Sequence, residues 1–274
     1  MDDMAQTTWV PLTPRRVAVL AHARKGRLLL VQLIMAAMVA LIVGWFLYYK
    51  CFPTVSLAID QLPTEGQIQS RELDWRGPSP QMLAEGRLLA LTVDLDHSGG
   101  LRSSAHVQAE FGKDNCRIRS LLGIMDVRYP EGWLIAFNRA ELKPLWGAWR
   151  PALLLGAMAG TAVGLMLFWW SLSAIYSPFV WFGGVFVNRD LNLPQSWQLA
   201  GAALMPGAVI MTAAIVFFGL GMMDLVGLLF FFCAHFAMGW VYLFLSLLYV
   251  PKTGGTSLQR KNPFAATPGH FLRK

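Results

Sequence analysis

Residues 151–250 read PALLLGAMAGTAVGLMLFWWSLSAIYSPFVWFGGVFVNRDLNLPQSWQLAGAALMPGAVIMTAAIVFFGLGMMDLVGLLFFFCAHFAMGWVYLFLSLLYV, and this stretch decides the fold class. Three long apolar runs fill it, and its only charged residues are Arg189, Asp190 and Asp224. A helix rising 1.5 Å per residue needs about 20 apolar residues to cross a hydrocarbon core of about 30 Å. The runs at 151–173, 197–220 and 225–250 meet that length. Between the first two, residues 174–187 are too few for a comfortable crossing and contain Pro178, Gly183 and Gly184. They are expected to form an interfacial or re-entrant piece. A polar turn should follow at 188–196, and Pro206 should kink the next helix.

Working towards the N-terminus, residues 28–49 form a fourth apolar run of 22 residues. A cleaved signal peptide has a shorter apolar core, about 7–15 residues, so an uncleaved signal anchor is expected. Residues 1–27 carry five basic side chains against two acidic ones, and residues 252–274 carry five basic and no acidic ones. Cytoplasmic flanks collect Lys and Arg. The charge of both tails and an even number of spans therefore predict both termini in the cytoplasm, of a bacterial inner membrane. The chain is 55% hydrophobic and 14% charged, against about a quarter charged for soluble domains. Its net charge of +7 sits beside membrane spans, which favours membrane lipids as partners and speaks against nucleic acid.

Residues 50–149 change character. Leu89, Leu91, Val93 and Leu95 alternate with Ala90, Thr92, Asp94 and Asp96, and Val107, Ala109 and Phe111 alternate with polar residues. Period two means strands with one buried face. Cys116 and Ile118, and then Trp133, Ile135 and Phe137, repeat the pattern. Residues 55–60 and 71–76 are expected to add strands. Gly112-Lys113-Asp114-Asn115 and Tyr129-Pro130-Glu131-Gly132 read as hairpin turns. Asn138 with Glu141 resembles a capping box opening a helix, and Trp146 and Trp149 are placed at headgroup level. The predicted fold is a membrane α-helical bundle of four transmembrane helices with an inserted extracytoplasmic antiparallel β domain of five to seven strands.

Few residues point to chemistry. Gly156, Gly160 and Gly164 recur every fourth residue, a pattern that lets helix backbones approach closely. The partner is either the third helix of the same chain, at Gly201, Ala202 and Gly207, or a second chain. His235 lies mid-span, where an ionisable group marks a polar site with Thr212 or is a neutral histidine bonded to its surroundings. Asp224 reads as a helix N-terminal acid. Asp94 to Gly100 lacks the later oxygen ligands of a calcium loop and reads as a turn. Cys51 and Cys116 fall on the same side and either pair or stay free, while Cys233 reads as helix packing. There is no phosphate-binding loop, zinc-protease, nucleophile-elbow or dinucleotide motif. No catalytic, cofactor-binding or metal-ligating residue is therefore assigned.

From residue 174 onward, the apolar segment ending in Gly183-Gly184 is followed by a polar loop, the entry Ser196-Trp197-Gln198, a span with Pro206 and an aromatic-rich last helix. This order resembles that of Yip-like polytopic membrane proteins. The resemblance implies an accessory membrane protein and not an enzyme. The expectation is thus a non-enzymatic accessory or scaffold protein whose outer domain binds a protein, peptide or lipid, in contact with a protein partner or a second copy. The alternative is a small permease or lipid-handling protein with a polar path near His235.

Overall fold

The computed structural model describes residues 11–252 and divides into two compact units. One comprises residues 11–36, 163–214 and 223–252, and the other comprises 37–162 and 215–222. Four helical stretches are long and apolar enough to cross a membrane by length and composition: Gly26–Asp60, Arg139–Phe186, Leu193–Gly219 and Leu225–Leu247.

The first unit is helical. Helix α1 (Pro14–Leu20) is opened by Thr13, whose hydroxyl accepts from Arg16 N at 3.4 Å. It buries Val17, Ala18 and Leu20 in a core with Leu199, Ala203, Leu243 and Leu247. Tyr242 donates its hydroxyl to Leu12 O at 2.8 Å, which fixes the entry of α1. The helices forming this core are α5 (Leu193–Ala203) and α7 (Leu225–Leu247), together with parts of α2 (Lys25–Phe46) and α4 (Arg139–Phe186). At Gly201 a Cβ would lie 2.9 Å from Ser173 Oγ and 3.2 Å from Gln32 Nε2, so this glycine lets three helices meet. Gln32 is fully buried and accepts from Trp170 Nε1 at 3.2 Å.

Two expectations change here. Residues 174–187 are not a separate piece: α4 runs unbroken for 48 residues, about 72 Å at 1.5 Å per residue. Proline at 178 leaves the carbonyl of Ala174 without its helical N–H. The Ser177 hydroxyl donates to that carbonyl at 3.1 Å and repairs the ladder. Next, α5 begins earlier than expected. Asn192 and Gln195 cap each other reciprocally, Gln195 N to Asn192 Oδ1 and Asn192 N to Gln195 Oε1, both at 2.9 Å. Pro206 disturbs the helical path as expected: a single turn residue, Leu204, separates α5 from α6 (Met205–Gly219), because proline has no N–H to continue the ladder. Asp224 caps α7, accepting from Gly227 N at 2.8 Å, as its position predicts.

The second unit carries the strands. A single turn of π-helix at Leu47–Cys51 leads from α2 into α3 (Phe52–Asp60). Residues 55–60 are therefore helical where a strand was expected. Val55, Ala58, Ile59 and Leu62 recur at i, i+3, i+4 and i+7, a helical period that a strand could not place on one face. Eight strands follow: β1 (Gly66–Gln69), β2 (Glu72–Trp75), β3 (Gln81–Glu85), β4 (Leu89–Val93), β5 (Val107–Phe111), β6 (Asn115–Ser120), β7 (Gly123–Arg128) and β8 (Ile135–Ala136). They form two sheets, not one, in the orders β2-β1-β8 and β3-β4-β5-β6-β7. All pairings are antiparallel except β4 with β5, which is parallel.

The Gly112–Asn115 turn joins β5 and β6 as expected. Residues 129–132 instead lead from β7 to β8, which belong to different sheets. The second hairpin turns at Leu121-Leu122, and its return strand β7 is exposed throughout. Ile68, Leu73, Trp75, Leu83, Val93, Tyr129 and Phe137 form the core. The Tyr129 hydroxyl donates to Gly112 O at 2.9 Å, and burial pushes its pKa well up.

The expected polar face of β4 and β5 is buried as well. Thr92 and Ala90 are inaccessible, and Glu110 is 1% exposed. The connection between the two parallel strands lies over this face and satisfies it. Gln108 Nε2 donates to Thr92 Oγ1 at 3.3 Å and Leu101 O at 3.0 Å. Glu110 lies 2.5 Å from His97 Nδ1 and 3.1 Å from Arg119. Asp94 accepts from Ser98 Oγ at 2.8 Å and Gly99 N at 3.1 Å. Buried polar groups are tolerated when paired in this way.

Candidate functional site

The apolar face of the same strands opens into a cleft of about 460 Å³. Its first wall is α3, through Val55, Ala58, Ile59 and Leu62. The second is the sheet, through Leu83, Leu91 and Phe111, with Phe137 packed on Phe111 at a ring separation of 4.9 Å. The third is the first part of α4, through Leu142, Leu145, Trp146, Trp149 and Leu153. These α4 positions share one helix face because they recur every three to four residues.

Asn138 starts α4 at the place the capping pattern predicts, accepting from Glu141 N at 2.9 Å. Asp60, at the end of α3, receives Lys143 Nζ at 2.7 Å, an exposed ion pair between the two helical walls. Trp146 donates Nε1 to Ser56 Oγ at 2.9 Å, so the one polar atom of its ring is occupied. The lining is otherwise hydrocarbon and aromatic carbon. A cleft without convergent polar groups cannot orient a polar metabolite, but it suits a chain of methylenes. At about 30 Å³ per water-sized group, the space takes roughly fifteen such groups. Leu145, Trp149 and Leu153 are each about half exposed at the mouth.

The residues singled out from sequence lie elsewhere. Gly156, Gly160 and Gly164 face open space: nothing lies within 4 Å of a Cβ built on any of them. A close helix approach occurs instead at Gly207, where a Cβ would come 2.5 Å from the carbonyl of His235. The His235 ring bonds the carbonyl of Phe232 on its own helix and lies against Phe236 at 4.0 Å. Thr212 donates to Ala208 O at 2.6 Å, also on its own helix. Each side chain bonds a carbonyl of its own helix, and no hydrogen bond joins the two.

Cys51, Cys116 and Cys233 are all free thiols, so no disulfide joins Cys51 to Cys116. Burial and the nearby Glu110 charge raise the Cys116 pKa. Among the described residues no cluster of three or more His, Cys, Asp or Glu could hold a metal ion. No protein family, curated protein or solved structure matches the chain.

Sequence reasoning missed the cleft. The spacing of Val55, Ala58, Ile59 and Leu62 was the available signal, and the expectation of a strand there concealed it. Trp146 and Trp149 were noticed as interface aromatics, without the cavity they line.

Proposed function

We propose that this chain is a polytopic inner-membrane protein with both termini in the cytoplasm, whose strand-bearing unit lies outside and binds a lipid acyl chain. It acts as a non-enzymatic accessory protein, in keeping with what the resemblance to Yip-like proteins implies. The observation that carries the reading is the apolar cleft of about 460 Å³. One of its walls, α4, continues without a break into a long apolar helix. In a bilayer the abundant apolar solute beside such a helix is the lipid chain itself. Of the protein, peptide or lipid partners expected from sequence, this cleft fits the lipid best. The open face of Gly156, Gly160 and Gly164 is offered to a second helix, from a protein partner or another copy.

The test uses the full chain in lipid nanodiscs with a photoactivatable acyl probe. Label on peptides containing Val55 or Trp146–Trp149 is expected, and Val55→Trp, which fills the cleft from a half-buried position, should remove it. Label confined to residues 151–250 and indifferent to Val55→Trp would sink the acyl-chain reading.

A further inference from the structure

The cleft has a charged neighbour that its apolar lining does not explain. Arg150 is the only charged residue between Lys143 and Arg189. It lies four residues after Trp146 and three before Leu153, on the α4 face that lines the cleft. Its guanidinium stacks over Tyr48 at 4.5 Å and Phe52 at 5.6 Å. The Phe52 ring in turn meets Trp146, a lining residue, edge-on at 5.1 Å. The charge therefore stands one aromatic ring away from the apolar space.

Arg150 has no anionic partner among the described residues. No carboxylate forms an ion pair with it, and its Nε is buried without a hydrogen bond. Aromatic faces attract a cation, but they do not accept its five N–H donors. A guanidinium stays charged at any physiological pH; the side chain is half-buried, and its buried donor Nε is left without a partner, which is costly. Planar N–H pairs of this kind match carboxylate and phosphate oxygens two at a time.

We infer that the ligand of the cleft is an amphiphile, one acyl chain in the cavity and an anionic oxygen head on Arg150. This rests on the acyl-chain reading above and adds the head-group chemistry to it. The cleft volume matches a single chain, and Arg150 stands at the level of Trp149 and Leu153, where the mouth is exposed. A ligand entering chain-first would leave its head beside the guanidinium.

The experiment is competition for a fluorescent acyl probe, with the full chain in nanodiscs of neutral lipid. Three competitors of equal chain length are compared: a fatty acid, an alkyl phosphate and a fatty alcohol. The two anions are expected to compete at least tenfold better than the alcohol, and whichever is stronger names the source as a free fatty acid or a phospholipid head. Arg150→Gln should bring the anions down to the level of the alcohol, whereas Arg150→Lys should retain part of the preference. Equal competition by all three in the wild type, or an anion preference that survives Arg150→Gln, overturns the assignment of Arg150 while leaving the acyl cleft intact. Failure of every competitor, with no saturable probe binding, overturns the cleft reading itself. A thermal melt of Arg150→Gln matching the wild type in the same nanodiscs is the control that the variant is folded.

Discussion

Single side chains decide how the covering loop of the sheet is fastened. Asp94 is 2% exposed. Burial pushes its carboxyl up, but hydrogen bonds from Ser98, Gly99 and Asp96 outweigh that, so the net shift is downward. A carboxylate whose folded pKa lies below its unfolded value of about 3.9 stabilises the fold above that pH, and the contribution is lost as pH falls through the folded pKa. Asp94→Asn should therefore cost about 1–3 kcal/mol near neutrality. The gap between variant and wild type should close below about pH 4, as read by thermal melts across pH. A gap independent of pH would show that the charge is irrelevant. Gly207 is the second residue of this kind, because a Cβ there meets a backbone carbonyl that cannot rotate away. Gly207→Ala should destabilise the helical unit by about 1–3 kcal/mol through overpacking, whereas Gly156→Ala, facing open space, should change monomer stability by less than about 0.5 kcal/mol. Thermal melts in one detergent compare the two directly. Sequence named both glycines as close-packing positions, since a small residue is visible in a string and the backbone that will approach it is not.

At the scale of elements, α4 is the instructive case. Pro178 and the two glycines after it read as a break, yet the helix continues because the Ser177 hydroxyl takes over the freed Ala174 carbonyl. Ser177→Ala should loosen the helix at that point, with faster amide exchange over residues 174–186 and little change over 151–170. Uniform exchange across both segments would show that the hydroxyl contributes nothing. The β-hairpin at Gly112–Asn115 was legible because turn residues and alternation agree. The parallel pairing of β4 with β5 was not. Nothing local distinguishes a parallel neighbour, and the polar residues of both strands suggested a solvent face until the connecting loop was seen to satisfy them.

For the whole molecule, the proposed topology makes a directional prediction. With the native cysteines replaced, Leu121→Cys at the exposed β6–β7 tip should react with a membrane-impermeant maleimide in intact cells, while Thr13→Cys should react only after lysis. The opposite pattern would invert the orientation argued from the basic tails. The open glycine face makes another. Gly156→Leu together with Gly160→Leu should shift native mass towards the monomer if a second copy covers that face, and an unchanged assembly would remove the glycines from any interface. Composition, run length and hydrophobic period were enough to establish four long apolar helices and a strand-rich insertion, because those properties are local and repeat along the chain. The cleft, the burial of both faces of β4 and the stacking of Arg150 over Tyr48 and Phe52 were decided only in three dimensions. Val55, Leu91, Phe111 and Trp146 lie far apart in sequence, and each carries an ordinary apolar signal that says what it avoids but not which partners it will meet.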